Sequence, residues 1–222
     1  MASDNVEVVV LLHGLGRDRT IMRRLEHYLL YKKYQVWNIE YPSLSHNIQT
    51  LAHFIEKKIN QAQSLCHTPI KQYHFVGHSL GAIIIRYYLS VYALQNLGRV
   101  VMIAPPNQGT RLANMAVWLP FYRWWWGPCL DQLRAHPTSF VCQLPDPQYP
   151  FGVIAGDRSN NQFYSRCILS GKDDGKVTVN STKLPTMSDH ITVPVAHPYL
   201  PLTVDVMEQT AFFLEQGCFF KT

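Results

Sequence analysis

The residues best placed to do chemistry lie in one stretch, Tyr73-His74-Phe75-Val76-Gly77-His78-Ser79-Leu80-Gly81-Ala82-Ile83-Ile84-Ile85. A short apolar run leads into Gly77-His78-Ser79-Leu80-Gly81, and an apolar, helix-forming run follows at once. Strand, sharp turn and helix form the context in which a G-x-S-x-G sequence presents a nucleophilic serine. Gly77 and Gly81 carry no Cβ, so strand and helix can approach closely there. The first N–H groups of the helix point at the same spot and favour developing negative charge.

A serine hydroxyl is a poor nucleophile until a base is positioned beside it. Two histidines occur late, His190 and His197. His190 precedes a strand predicted over residues 191–195 and falls at the wrong end of the sheet. His197 lies just past that strand's C-terminal end, on the side of Ser79, and is the expected base. Such a base must be neutral to accept a proton, so activity is expected to rise with pH across the neutral range. A carboxylate should hold the imidazole, and Asp157, Asp173, Asp174 and Asp189 all fall between Ser79 and His197 or its strand. The order Ser, Asp, His suits this kind of turn. Asp157 ends a predicted strand but adjoins Arg158. Asp173 and Asp174 sit in the polar turn Gly171-Lys172-Asp173-Asp174-Gly175-Lys176-Val177, where Gly175 lets the chain bend and like charges disfavour burying both carboxylates.

An anionic intermediate also needs N–H donors. Leu80 offers one at the helix start, and Leu15, in the turn His13-Gly14-Leu15-Gly16 after the first strand, offers the other. His78 beside the serine is read as a packing or supporting residue, and His53 as a surface or packing residue. No H-E-x-x-H or clustered His/Cys pattern occurs, so neither a metal nor a cofactor is expected.

The elements that would position these groups follow a regular alternation. Strands are predicted at residues 6–12, 34–39, 73–76, 99–104, 151–155 and 191–195. Helices are predicted at about 20–31 after an Asp18 cap, from Ser45 or Asn47 to about 65, at about 80–94, and at about 202–216 with Gly217 as the stop. Short β-α-β connections imply an α/β fold with a parallel, doubly wound sheet whose strand C-termini share one rim. Residues 105–150 interrupt this rhythm with eight prolines and four of the five tryptophans, and are read as a helical cap inserted over the rim of a single domain spanning residues 1–222.

With 47% hydrophobic residues, 16% charged residues and a net charge of +5, the chain can fill a large core and is too diffusely basic to imply a nucleic-acid partner. Cys66, Cys129, Cys142, Cys167 and Cys218 are widely spaced without a C-x-x-C pair. They read as reduced thiols of a cytoplasmic protein, with an exported protein lacking its leader as the alternative.

Taken together, the motifs resemble the α/β-hydrolase superfamily over about residues 6–216, and are similar to compact bacterial lipases and esterases and to GPI-inositol-deacylase-like hydrolases. The resemblance rests on His13-Gly14-Leu15-Gly16, Gly77-His78-Ser79-Leu80-Gly81, Pro106-Asn107-Gln108-Gly109, Asp174-Gly175-Lys176-Val177 and His197. It implies a minimal α/β-hydrolase fold: a mostly parallel sheet of about six strands, helices on both faces, and no antiparallel strands before the first turn. It also implies carboxylic-ester hydrolysis through an acyl-enzyme with Ser79, Asp174 and His197, the D-G-x-V pattern selecting Asp174. A thioesterase or acyltransferase would use the same residues, and a catalytically silent binding protein on this fold is the rival of a different class. The expected partner is a small-molecule or lipid ester, with transient membrane-surface contact left open and oligomeric state unassigned. Trp118, Trp124, Trp125 and Trp126 read either as packing between cap and sheet with a share of the pocket wall, or as a lid that opens onto lipid. Arg17, Arg19, Arg23 and Arg24 read as a solvated helix face or as a site for an anionic head group.

Overall fold

The computed structural model describes residues 5–160 and 168–221, with the side chain of Arg123 left aside. Cys167 therefore lies outside the described residues. Six strands, β1 (Val6–Leu12), β2 (Gln35–Ile39), β3 (Ile70–His78), β4 (Leu97–Ile103), β5 (Phe151–Gly156) and β6 (Asp189–Val193), form one sheet in the order β2-β1-β3-β4-β5-β6. Every pairing is parallel. The register places Leu12 opposite Gly77, Gly77 opposite Met102 and Ile103 opposite Ile154, so the strands end together along one rim.

A parallel sheet covered on both faces must be apolar on both. In β1, Val8, Val10 and Leu12 enter one core while Val9 and Leu11 enter the other. Helices α2 (Ile48–Ser64) and α3 (Leu80–Val91) cover the first face. Helix α1 (Arg23–Tyr31) and the C-terminal helix cover the second. Asn47 caps α2 by accepting from the Thr50 amide at 2.9 Å. Asp18 accepts from the Thr20 amide only two residues on, and the chain first makes a 3₁₀ turn over Arg19–Met22 before α1 begins. The single helix predicted at 20–31 is thus divided.

Between β4 and β5 the chain forms four short helices, α4 (Arg111–Ala116), α5 (Tyr122–Trp126), α6 (Cys129–Gln132) and α7 (Phe140–Gln143). Pro120, Pro128 and Pro137 fall between them, where the lack of an N–H stops a helix from running on. Arg86 on α3 ties this region down. Its buried guanidinium donates to the carbonyls of Asn107, Leu144 and Pro145, the shortest contact being 2.7 Å.

After the single turn α8 (Val179–Thr182), β6 ends one residue before Pro194, which has no N–H for a ladder bond. The strand predicted over 191–195 is therefore shifted two residues earlier, and His190 is its second residue. A 3₁₀ turn over His197–Leu202, containing Pro198 and Pro201, precedes α9 (Val204–Gln216). Helix α9 stops at Gly217, whose φ of 81° suits a residue without a side chain.

Candidate active site

Ser79 stands between β3 and α3 with φ 55° and ψ −117°, a conformation few residues other than glycine adopt. Its amide donates to the Ile103 carbonyl at 2.8 Å, which pins the turn to β4. A Cβ on Gly77 would lie 2.5 Å from the Ala82 nitrogen, and one on Gly81 would strike the Leu12 carbonyl. Only glycine at both positions lets the helix start directly over the strand end.

His197 follows β6 and is nearly fully buried. Its Nε2 lies 3.0 Å from Ser79 Oγ, and its Nδ1 lies 2.6 Å from Asp174 Oδ2. The carboxylate can only accept when ionised, so Nδ1 carries the proton and Nε2 is free to accept from the serine hydroxyl. The other oxygen of Asp174 accepts from the amides of Lys176 and Val177 at 2.9 and 2.8 Å. The His197 amide in turn donates to the Asp174 carbonyl at 2.9 Å. Carboxylate and imidazole are therefore held together at both main chain and side chain.

The other aspartates are engaged elsewhere. Asp173 accepts from the Gly175 amide, Asp157 pairs with Lys172 at 3.5 Å, and Asp189 accepts from the amides of His190 and Phe219. His190 lies 3.2 Å from the Thr182 hydroxyl, away from Ser79. His53, exposed on α2, meets the Tyr92 hydroxyl.

Leu15 borders the cavity beside Ser79, and Leu80 is the first residue of α3. Among the described residues neither amide has an acceptor within the chain. The turn that carries Leu15 is braced by residues that sequence reasoning did not single out. The Tyr41 hydroxyl donates to the His13 carbonyl, the Tyr41 ring stacks on His13 with centroids 4.0 Å apart, and Ser43 Oγ accepts from the Gly16 amide. Tyr41-Pro42-Ser43 reads in the sequence only as the close of a strand.

His78 is buried beside His197, with its Nε2 donating to the His197 carbonyl at 3.2 Å. Burial, together with the positive charge of its surroundings, holds its pKa well below the ordinary histidine value. Burial likewise lowers those of His13, His74 and His190. Folding thus favours the neutral rings. The unfolded chain binds more protons once the pH falls below about 6.5, so stability is intact above that and lost progressively below it. The melting temperature should fall by several degrees between pH 7.5 and 5.5. A melting temperature that stays level or rises on acidification would contradict neutral burial of these rings.

A cavity of about 480 Å³ opens beside Ser79 and His197. Its walls are largely apolar, from Leu112, Ala113, Leu119, Leu130, Leu133 and Val177, while Arg17 and Lys176 supply two cations. Trp126 borders this cavity. Trp118, Trp124 and Trp125 do not, and all four tryptophans are exposed. Trp126 thus keeps the share of the pocket wall expected of it, while Trp118, Trp124 and Trp125 do not pack the cap onto the sheet; Ala113, Cys129, Leu130, Leu133, Val141 and Leu144 make that contact. These smaller side chains, on the short helices and at their C-caps, take the inward positions of the segment.

A family model described as "Alpha/beta hydrolase family" matches residues 9–206. The chain belongs to the alpha/beta hydrolase family. Solved structures of alpha/beta hydrolase shape agree. The mature lipase BlEst2 from Bacillus licheniformis aligns with a TM-score of 0.74 at 18% identity, over 98% of this chain and 93% of that one. The esterase Pf2001 from Pyrococcus furiosus aligns at 0.62 and 16% identity, over 96% and 84%. Phospholipase PlaB from Legionella pneumophila aligns at 0.62 and 19% identity over 80% of this chain, which spans only 46% of PlaB. At such identities the likeness speaks to the fold. No curated protein sequence matches the chain. Among the described residues, no group of three or more His, Cys, Asp or Glu side chains could hold a metal ion.

Proposed function

We propose that this alpha/beta hydrolase cleaves carboxylic esters of apolar acyl groups through an acyl-enzyme on Ser79. The reading is carried by one observation, the continuous hydrogen-bonded chain from Asp174 through His197 to Ser79 at 2.6 and 3.0 Å.

In the reaction His197 takes the hydroxyl proton at Nε2 as Ser79 Oγ attacks the ester carbonyl. Asp174 stabilises the resulting imidazolium through Nδ1 without itself gaining the proton. The amides of Leu15 and Leu80 receive the tetrahedral oxyanion, and α3 directs its positive N-terminal end at the same atom. The imidazolium then protonates the departing alcohol, and water repeats the sequence to release the acid and restore Ser79. The apolar cavity supports a substrate with an alkyl acyl chain or another lipid-like ester. In this reading residues 1–222 form one domain, with residues 105–150 as an insertion that supplies the cavity's outer wall.

Turnover of a p-nitrophenyl ester series of increasing acyl length tests the proposal. Hydrolysis of medium-chain members is the expected result, and no hydrolysis at any length would overturn it.

A further inference from the structure

The outer side of the cavity wall carries the largest unexplained feature of the surface. Trp118, Phe121 and Trp124 are 84%, 78% and 83% exposed, and Met115, Leu119, Trp125 and Trp126 are each about half exposed or more. These seven large apolar side chains fall within twelve residues. Scattered exposed hydrophobics are ordinary, but seven in so short a stretch, with the Trp124 and Trp125 rings in edge contact, point to an interaction surface.

Two observations identify what the surface meets. First, Met115, Leu119 and Trp126 are exposed outside and also border the cavity that reaches Ser79, so the apolar ledge and the cavity are continuous. A partner lying on the ledge could pass an acyl chain inward without returning it to water. Second, the charged residues that border the cavity, Arg17 and Lys176, are both cations. Between Ile103 and Asp131 the sequence holds no carboxylate. Arg17 and Lys176 stand at the cavity itself, and among the described residues neither side chain has an ion-pair partner. Desolvation and the like charge of Arg17 push the Lys176 ammonium below its ordinary range, with Asp174 acting the other way; both cations are exposed beside the opening. Of the nearby carboxylates, Asp174 bonds His197 and loop amides and acts on Lys176, and Asp18 bonds Thr20 and acts on Arg17; neither makes an ion pair with these cations among the described residues. Arg19, Arg23 and Arg24 do not border the cavity, so of the arginines read as an anion site only Arg17 is placed to serve the opening.

We propose that residues 115–126, with Arg17 and Lys176 beside them, form a docking face for an anionic lipid bilayer and open the cavity onto its surface. The indole rings rest at the level of the head groups, where an apolar body and a polar N–H are both accommodated. Phe121 and Leu119 reach the acyl boundary, and the two cations meet lipid phosphates. This goes beyond ester cleavage itself, since docking needs no turnover.

Sedimentation with vesicles tests it, using phosphatidylcholine alone and phosphatidylcholine with one third phosphatidylserine. The wild-type protein should partition onto the phosphatidylserine vesicles about tenfold more strongly than onto the neutral ones. Trp118→Ser/Trp124→Ser/Trp125→Ser should lower partitioning about tenfold or more on both, and Arg17→Gln/Lys176→Gln should remove the preference for phosphatidylserine. Circular dichroism and melting temperature establish that the variants fold. Quenching of wild-type tryptophan fluorescence by brominated lipid gives a readout that needs no variant. Wild-type protein that stays in solution unquenched, or a triple variant that folds and binds as wild type does, overturns the proposal. So does a concentration-dependent dimer, lost in the triple variant, in a protein that ignores vesicles, because the face would then belong to a second copy. Fluorophosphonate labelling measured in parallel reports on Ser79 alone, so failure of the ester reading and failure of docking are told apart.

Discussion

Ser79→Ala should reduce ester turnover by about 10⁴–10⁶-fold while the protein stays folded. This is the range seen when a nucleophile is removed from a cooperating triad. The substitution deletes one oxygen and keeps the Cβ, so the turn between β3 and α3 and the bond from the residue 79 amide to Ile103 persist. His197 loses the partner at its Nε2 but keeps Asp174. The cavity and the free amides of Leu15 and Leu80 also remain, so substrate binding should change little and the loss should fall on kcat. Retention of more than about a tenth of wild-type turnover would be too mild for a true nucleophile.

Asp174→Asn should lower kcat by about 10³–10⁴-fold with a small change in KM, the size of effect known for the same change in a serine-protease triad. The carbonyl oxygen of an asparagine can still accept from the Lys176 and Val177 amides, which now bind Oδ1. Its NH₂ group then faces His197 Nδ1 and can only donate. Nδ1 must give up its proton, the proton moves to Nε2, and the ring can no longer accept from Ser79. Asp173→Asn is the matched control. Asp173 bonds the Gly175 amide and not His197, so its loss should be less than about tenfold. Equal losses at 173 and 174, or a loss below about tenfold at 174, would contradict the role given to Asp174.

Much of this arrangement is legible in the sequence because it is local. The run from Val8 to Leu12, apolar at every position, suits a strand covered on both faces. Gly77, Ser79 and Gly81 signal a turn too tight for side chains beside the serine. His197 could be placed near the rim because it follows a strand, even though Pro194 ends that strand earlier than its apolar pattern suggests. The choice of Asp174 over Asp173 depends on which carboxylate the Gly175 turn aims inward. Chain order leaves that open, and the family's D-G-x-V pattern was needed to make the choice.

What could not be read depends on contacts between distant segments. Nothing in Tyr41-Pro42-Ser43 announces that it braces the turn after β1, nor in Arg86 that it holds three carbonyls of the proline-rich segment. The tryptophans mislead most. Large aromatics are usually buried, but in this segment the inner positions go to smaller residues and the indoles are left exposed. The same tertiary placement selects Arg17 and Lys176, 159 positions apart, as the two cations of one opening.

The most direct measurement for the central claim is the mass of the protein after reaction with a fluorophosphonate, followed by peptide mapping of the adduct. One adduct per chain is expected, on Ser79, formed more slowly when Asp174 is replaced by asparagine and absent in Ser79→Ala. An adduct on another residue, or none at all in protein that is hydrolysing ester, would contradict it.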